Sequence, residues 1–181
     1  MKPWVYIIGS CVLVVAASAI GCRHTSDSSL ERNFFRHESE FEALLAEVTG
    51  DEKLGMFGTD RLNYGNTRLF GGTTFSNSPD ISKIERAGLS RERWERYQRQ
   101  LRDLGLAQVS RGEGIVEFRV DQVSIFNGDS SKGYWHGSAE PGRRQSSLDR
   151  YRISEDDRNK FGGYLVSKPI KENWYLYLFV N

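Results

Sequence analysis

The closing run of the chain, Trp174-Tyr175-Leu176-Tyr177-Leu178-Phe179-Val180, limits the fold more than any other stretch. Side chains of a strand point alternately to its two faces, so a run that is apolar at every position has no face to give to water. It predicts a strand inside a sheet, covered on both sides. Residues 163–170 (GYLVSKPI) precede it across Lys171-Glu172-Asn173, and the two runs read as a hairpin whose first strand Pro169 places near an edge or a strand end.

The pattern upstream is mixed. Val116, Phe118 and Val120 alternate with Glu117, Arg119 and Asp121, and the alternation slips at Asp121-Gln122 before Val123 and Ile125, as a bulge would make it do. Residues 106–109 and 115–120 form a hairpin around 110–114, and Asn127-Gly128 opens a turn from which 133–137 returns as a partner strand. Helices are marked by periods of three and four. Ser28 and Glu31 read as a capping box for a helix with Phe34, Phe41, Leu44, Leu45, Val48 and His37 on one face and Gly50 at its end. Ser78-Pro79 starts a short helix ending at Gly88. Ser90 caps another, lined by Trp94, Tyr97, Leu101 and Leu104 and closed by Gly105-Leu106 as a Schellman motif. The glycine-rich segment 50–80 reads as irregular with one or two short strands, and the polar segment 138–160 as a mobile excursion. The expected class is α+β, an N-terminal helix and a central helix pair packed on an antiparallel sheet of four to six strands.

The first residues set the address. Lys2 is followed by an almost unbroken apolar run to Ile20, then Gly21, Cys22 and a polar chain, which is the layout of an export leader; the alternative is a permanent transmembrane anchor, since the run approaches the ~20 residues needed to cross a bilayer. The order Ala19-Ile20-Gly21-Cys22 resembles the lipobox of bacterial lipoproteins. The resemblance implies cleavage before Cys22 and palmitate-type acylation of its thiol and new amino group, although Ala19 and Ile20 depart from the commoner leucine and small residue. Acyl chains worth about 0.8 kcal/mol per buried methylene would make release from the membrane negligible. Arg23 follows the cysteine where aspartate would resemble an inner-membrane retention signal, so the outer membrane is favoured where the host has one. The expected organisation is a leader over 1–21, a polar tether over 22–29 and one domain over 30–181.

Removing the leader leaves 160 of the 181 residues, enough for one domain burying about 70% of its unfolded surface. Lys2 leaves with it, so the 25 basic residues fall to 24, equal to the 24 acidic ones. That balance argues against nucleic acid as a partner. The two cysteines are Cys11, inside the leader, and Cys22, so no disulfide can form within a mature chain and cysteine-based zinc sites or nucleophiles are excluded.

Two further resemblances concern the domain. Residues 79–120 run helix, turn, capped helix, hairpin, which resembles a winged helix-turn-helix. Its second helix does carry Arg91, Arg93, Arg96, Arg99 and Arg102, but Glu92, Glu95 and Asp103 interleave with them as on a solvated face. The segment Ser130-Ser131-Lys132-Gly133-Tyr134 with the terminal Asn173-Trp174-Tyr175-Leu176-Tyr177 resembles a group of uncharacterised bacterial lipoproteins and secreted proteins, and implies no activity.

Motifs for catalysis are missing. His24, His37 and His136 are the only histidines and have no metal-ligand spacing; GxSxG, Ser-x-x-Lys, GxGxxG and phosphate-loop patterns are absent. No catalytic residue, metal ligand or cofactor is therefore assigned. The candidate binding surface is Asp129, Lys132, Tyr134, Trp135 and His136 with Ser130 and Ser131, a polar turn beside aromatic rings suited to an envelope protein, peptide or glycan. The same residues also read as a hairpin in which Lys132 caps a turn and the rings are half core. The function expected is a membrane-anchored, non-enzymatic binding module, with a small envelope hydrolase using His136 or His37 as the rival and nucleic-acid binding last.

Overall fold

The computed structural model describes residues 24–51, 54–59, 61–64, 73–76, 85, 88–125, 128–150 and 163–181, with backbone alone at 61–64, 73–76, 124–125 and 128. Its elements are helices α1 (Asp27–Arg36), α2 (Glu38–Gly50) and α3 (Arg91–Asp103) and strands β1 (Leu54–Gly58), β2 (Arg61–Tyr64), β3 (Thr73–Ser76), β4 (Gln108–Gly112), β5 (Ile115–Ile125), β6 (Gly128–Gly137), β7 (Arg143–Arg144), β8 (Tyr164–Lys171) and β9 (Trp174–Val180). The class is α+β. All nine strands lie in one sheet, ordered β3-β2-β1-β4-β5-β6-β9-β8-β7, and every pair but β7 with β8 is antiparallel.

Four to six strands is thus too few, because the glycine-rich segment supplies three and Arg143-Arg144 a fourth. The described part of the polar excursion is also no free loop. Gln145 N–H bonds Ser167 O at 2.7 Å, and Leu148 is 3% exposed. Strand β9 lies inside the sheet, between β6 and β8, as expected, but it is not covered on both sides along its whole length, since Tyr175, Phe179 and Val180 are only half-buried.

The N-terminal helix is capped two residues earlier than expected. Ser26, not Ser28, accepts from Ser29 N–H at 3.3 Å, because Thr25 and Asp27 are already bonded to the sheet and fix where the chain can turn. It is also two helices. His37 leaves the helical region at φ −120°, ψ 28°, giving its N–H to Asn33 and Phe34 carbonyls and its carbonyl to Glu40 and Phe41. The change of direction sets Glu38 and Glu42 against Lys171 at 2.5 and 3.3 Å, and Glu42 against Trp174 Nε1 at 3.0 Å.

Helix α3 follows its sequence closely. Ser90 Oγ accepts from Arg93 N–H at 3.2 Å, and the end is closed by Leu106 N–H on Leu101 O at 2.8 Å and Gly105 N–H on Arg102 O at 3.1 Å, with Gly105 at φ +67°. Those two bonds are the Schellman pair. Its hairpin is no separate wing, since β4 also pairs with β1 and β5 with β6. The helix expected before it lies outside the described residues apart from Glu85 and Gly88. Arg93 and Arg96 are paired with Asp51 at 2.8 Å and Glu47 at 3.2 Å.

The core is aromatic. Phe41, fully buried, meets Phe34 at 5.3 Å, Tyr134 at 4.8 Å, Phe118 at 6.0 Å and Trp174 at 5.9 Å between ring centres, joining α1 and α2 to β5, β6 and β9. A second group, Phe57 with Tyr97 at 4.8 Å and Trp94 at 6.4 Å, sits between β1 and α3.

Candidate functional site

The pairing of β6 with β5 decides what each residue of the SSKGY segment meets. Phe118 lies opposite Tyr134 and Arg119 opposite Gly133; then the register shifts, and Asp121 lies opposite Lys132 and Val123 opposite Ser130. The extra residue is the bulge expected from the slipped alternation, and it turns Asp121 away from the face of Arg119 to that of Phe118. Gly133 makes the close approach possible. A Cβ there would stand 2.1 Å from Phe118 O and 3.0 Å from Arg119 Cα, both unyielding backbone.

The chain just after Cys22 comes to this face. His24 Nδ1 bonds Asp121 Oδ1, His24 Nε2 lies 2.7 Å from Ser130 Oγ, and Thr25 N–H donates to Asp121 Oδ2 at 2.7 Å. Burial pushes the Asp121 carboxyl up, but the bonds from His24 and Thr25 outweigh it and hold the group below the usual carboxylate range. Carboxylate, imidazole and hydroxyl stand in the order of a nucleophilic triad. Two proton arrangements fit it. With Nε2 unprotonated, Ser130 donates to His24; with both ring nitrogens protonated, His24 donates to Ser130, whose hydroxyl turns to Val123 O at 3.3 Å. Ser130 is 6% exposed.

One step along the same face is a buried ion cluster. Lys132, 1% exposed, places Nζ 2.7 Å from Asp27 Oδ1 and 2.6 Å from Asp149 Oδ1. Asp27 Oδ2 accepts from Leu148 N–H at 2.7 Å and Ser147 Oγ at 3.2 Å, and Asp27 N–H faces both carboxylate oxygens of Asp149 at 3.0 Å. Lys168 stands 3.9 Å from Asp27 and 2.7 Å from Glu31. Burial works against the charge on Asp27, and Lys132, the Leu148 amide and Lys168 together hold its carboxyl below the ordinary range.

Farther along, the face turns aromatic. Tyr134 donates to Leu30 O at 3.0 Å and accepts from Asn33 at 3.2 Å, and burial pushes its phenol up to about 12. His136 packs on Trp174 at 4.9 Å between ring centres; burial lowers its pKa while Glu42 opposes the shift. Beside it opens a groove of about 360 Å³ lined by Leu45, Thr49, Arg111, Glu113, Ile115 and His136 among others.

The five residues of the expected surface therefore do not share one. Lys132 and Tyr134 are buried under the N-terminal segment and α1, and Trp135 points to the opposite face against Tyr177, 6.3 Å away. Asp129 is exposed, and its carbonyl accepts from Asn181 N–H at 2.9 Å. His136 alone of the five lines the groove. Nor is Lys132 a turn cap, for residues 128–132 continue the strand expected only from 133. The segment expected as a tether is part of the fold from His24 onward, held by Asp121, Ser130 and Lys132. His37 sits at the α1–α2 junction 3.6 Å from Glu40. Sequence reading missed His24, Asp27, Asp121 and Asp149 as a set. The slipped alternation pointed at Asp121, but nothing local signals partners far away in the chain.

Cys22 and the leader lie outside the described residues. Among the described residues no helix is long and apolar enough to cross a membrane, and no three metal-binding side chains converge. Compared with protein-family models, curated proteins and solved structures, the chain matches none.

Proposed function

We propose that the chain is an envelope lipoprotein, cut before Cys22 and acylated there, whose domain binds an envelope protein, peptide or glycan at the membrane surface without chemistry upon it. The supporting observation is that His24 and Thr25, immediately past the lipidated residue, are bonded to Asp121 in the sheet. Two residues span at most about 7 Å, so acyl chains on Cys22 would hold this end of the domain against the bilayer. His136 and its groove lie six residues farther along β6, about 20 Å at the rise of a strand, and there a partner segment would be engaged. Nucleic acid and cofactors have no part in this reading.

Intact mass of the chain from the membrane fraction tests it. An acylated Cys22 at the amino terminus is expected, and a Cys22→Ser chain should fail to be processed. A mature terminus elsewhere, or an unmodified Cys22, ends the proposal. A photo-crosslinker at Glu113 should then capture a discrete partner in native membranes, and one at Glu92 on α3 should not.

The Ser130–His24–Asp121 arrangement favours a second reading, a serine hydrolase, in place of one built on His136 or His37. A fluorophosphonate should label Ser130, and the label should vanish in His24→Ala. A chain that stays unlabelled rejects it.

A further inference from the structure

The cluster around Lys132 contains an amine, a carboxyl and a second acid in reacting positions, the first two almost fully buried. We propose that Lys132 and Asp27 condense into an intramolecular isopeptide bond, with Asp149 carrying the protons. Three observations assign the roles. Lys132 Nζ is 2.7 Å from Asp27 Oδ1, and both side chains are almost fully buried, at 1% and 5% exposure, so the nucleophile and carboxyl are held in contact in a dry site. Asp27 Oδ2 faces the Leu148 amide at 2.7 Å and the Ser147 hydroxyl at 3.2 Å, two fixed donors where negative charge develops on attack, with the Lys168 ammonium at 3.9 Å. Asp149 touches the same Nζ at 2.6 Å and is the more exposed acid, at 31%, so it exchanges protons without being the carboxyl consumed.

The atoms balance without any co-reactant. One proton moves from Nζ to Asp149 and on to Oδ1 of Asp27, leaving a neutral amine beside a neutral acid. Nζ attacks Cγ, and Oδ2 takes the charge under Leu148 and Ser147. A second nitrogen proton passes through Asp149 to Oδ1, the Cγ–Oδ1 bond breaks, and water leaves. The amide keeps one N–H, Asp149 is again a carboxylate, and Oδ2 remains as the carbonyl oxygen. The ordinary ionised pair is the starting state, and the reaction need occur only once in the life of each molecule.

The link would join the start of α1 to the interior strand β6 in a stretch, residues 23–181, that contains no cysteine to do so. It sits five residues past Cys22, so any pull on a lipid anchor would pass through a covalent bond into the sheet. The chemistry itself is independent of the anchor.

The experiment is mass spectrometry of the purified full chain after prolonged incubation at neutral pH. The wild type should be one water lighter than its processed sequence requires, and trypsin should yield a branched peptide joining His24–Arg32 to Val120–Arg143. Branching separates the link from a cyclic imide formed within one peptide. Asp149→Asn and Lys132→Arg should both appear at full mass with no branched peptide. A wild-type chain at full mass overturns the proposal whatever the variants do, and a branched peptide from Asp149→Asn overturns the proton route.

Discussion

Strand β6 presents two different environments on one face. Ser130 and Lys132 meet His24, Asp27 and Asp149, whereas Tyr134 and His136, two and four residues farther on, meet Phe34, Phe41 and Trp174. The strand and the face are the same; the segments that meet them and the polarity change. The aromatic end gains stability from removing large rings from water, a force with little direction. At the polar end, taking charges from water costs nearly as much as pairing them returns, so what the ion cluster contributes is chiefly placement of the N-terminal segment. One end holds the domain together, and the other fixes where its first residues lie.

The contrast predicts the largest loss at the aromatic end. Phe41→Ala removes a fully buried ring that touches four others and should cost about 4 kcal/mol in denaturant unfolding, with the whole domain losing protection together. If instead only α2 loosened, the two ends would be less distinct than the contacts imply.

Next is Lys132→Met, which leaves Asp27 buried without its nearest cation and should cost about 3 kcal/mol. An amide link between the same residues would add to the loss. Hydrogen exchange should place the damage first at 24–30 and 145–149, where the cluster holds the chain, and only afterwards in the aromatic core.

Much of the helix and strand framework was legible in the sequence and little of the polar end. The period of α3, its serine cap, its glycine close and the interior place of the final strand all rest on neighbours within a few residues, where spacing carries the information. The bulge was legible too, because it breaks an alternation. What sequence could not supply was the meeting of His24 with Ser130 or Asp27 with Lys132, since each is an isolated polar residue in its own segment and long-range pairing leaves no periodic trace. For the same reason Ser130 and Lys132 look like a solvated turn; a strand face that is polar because it is paired cannot be told from one that is polar because it is wet.

Acid separates the ends again. Asp121, and Asp27 in any molecule where it is still a free acid, have carboxyls held below the ordinary aspartate pKa of 3.8, so their contribution is present above that pH and is lost as the pH falls below it toward the folded values. Fluorescence of the buried tryptophans should therefore report a weaker fold below about pH 4, and Asp121→Asn should flatten part of that slope. An unchanged slope would mean that the His24 contact contributes nothing to stability. Phe41 carries no titratable group and packs against rings, so Phe41→Ala should lower the curve without changing its shape.

The smallest effect tests where the polar end hands over to helix. Ser26 caps α1 through Ser29 N–H, whereas Ser28 is already inside the helix and exposed. Ser26→Ala should cost about 1 kcal/mol and Ser28→Ala close to nothing. Were Asp27 alone responsible for starting the helix, by its bonds to Lys132 and Leu148, the cap would be redundant and the two variants would behave alike. A difference between them shows that the local signal and the long-range one each carry a share, with the cap opening the helix at Asp27 and the ion pair deciding which part of the sheet that first turn lies against.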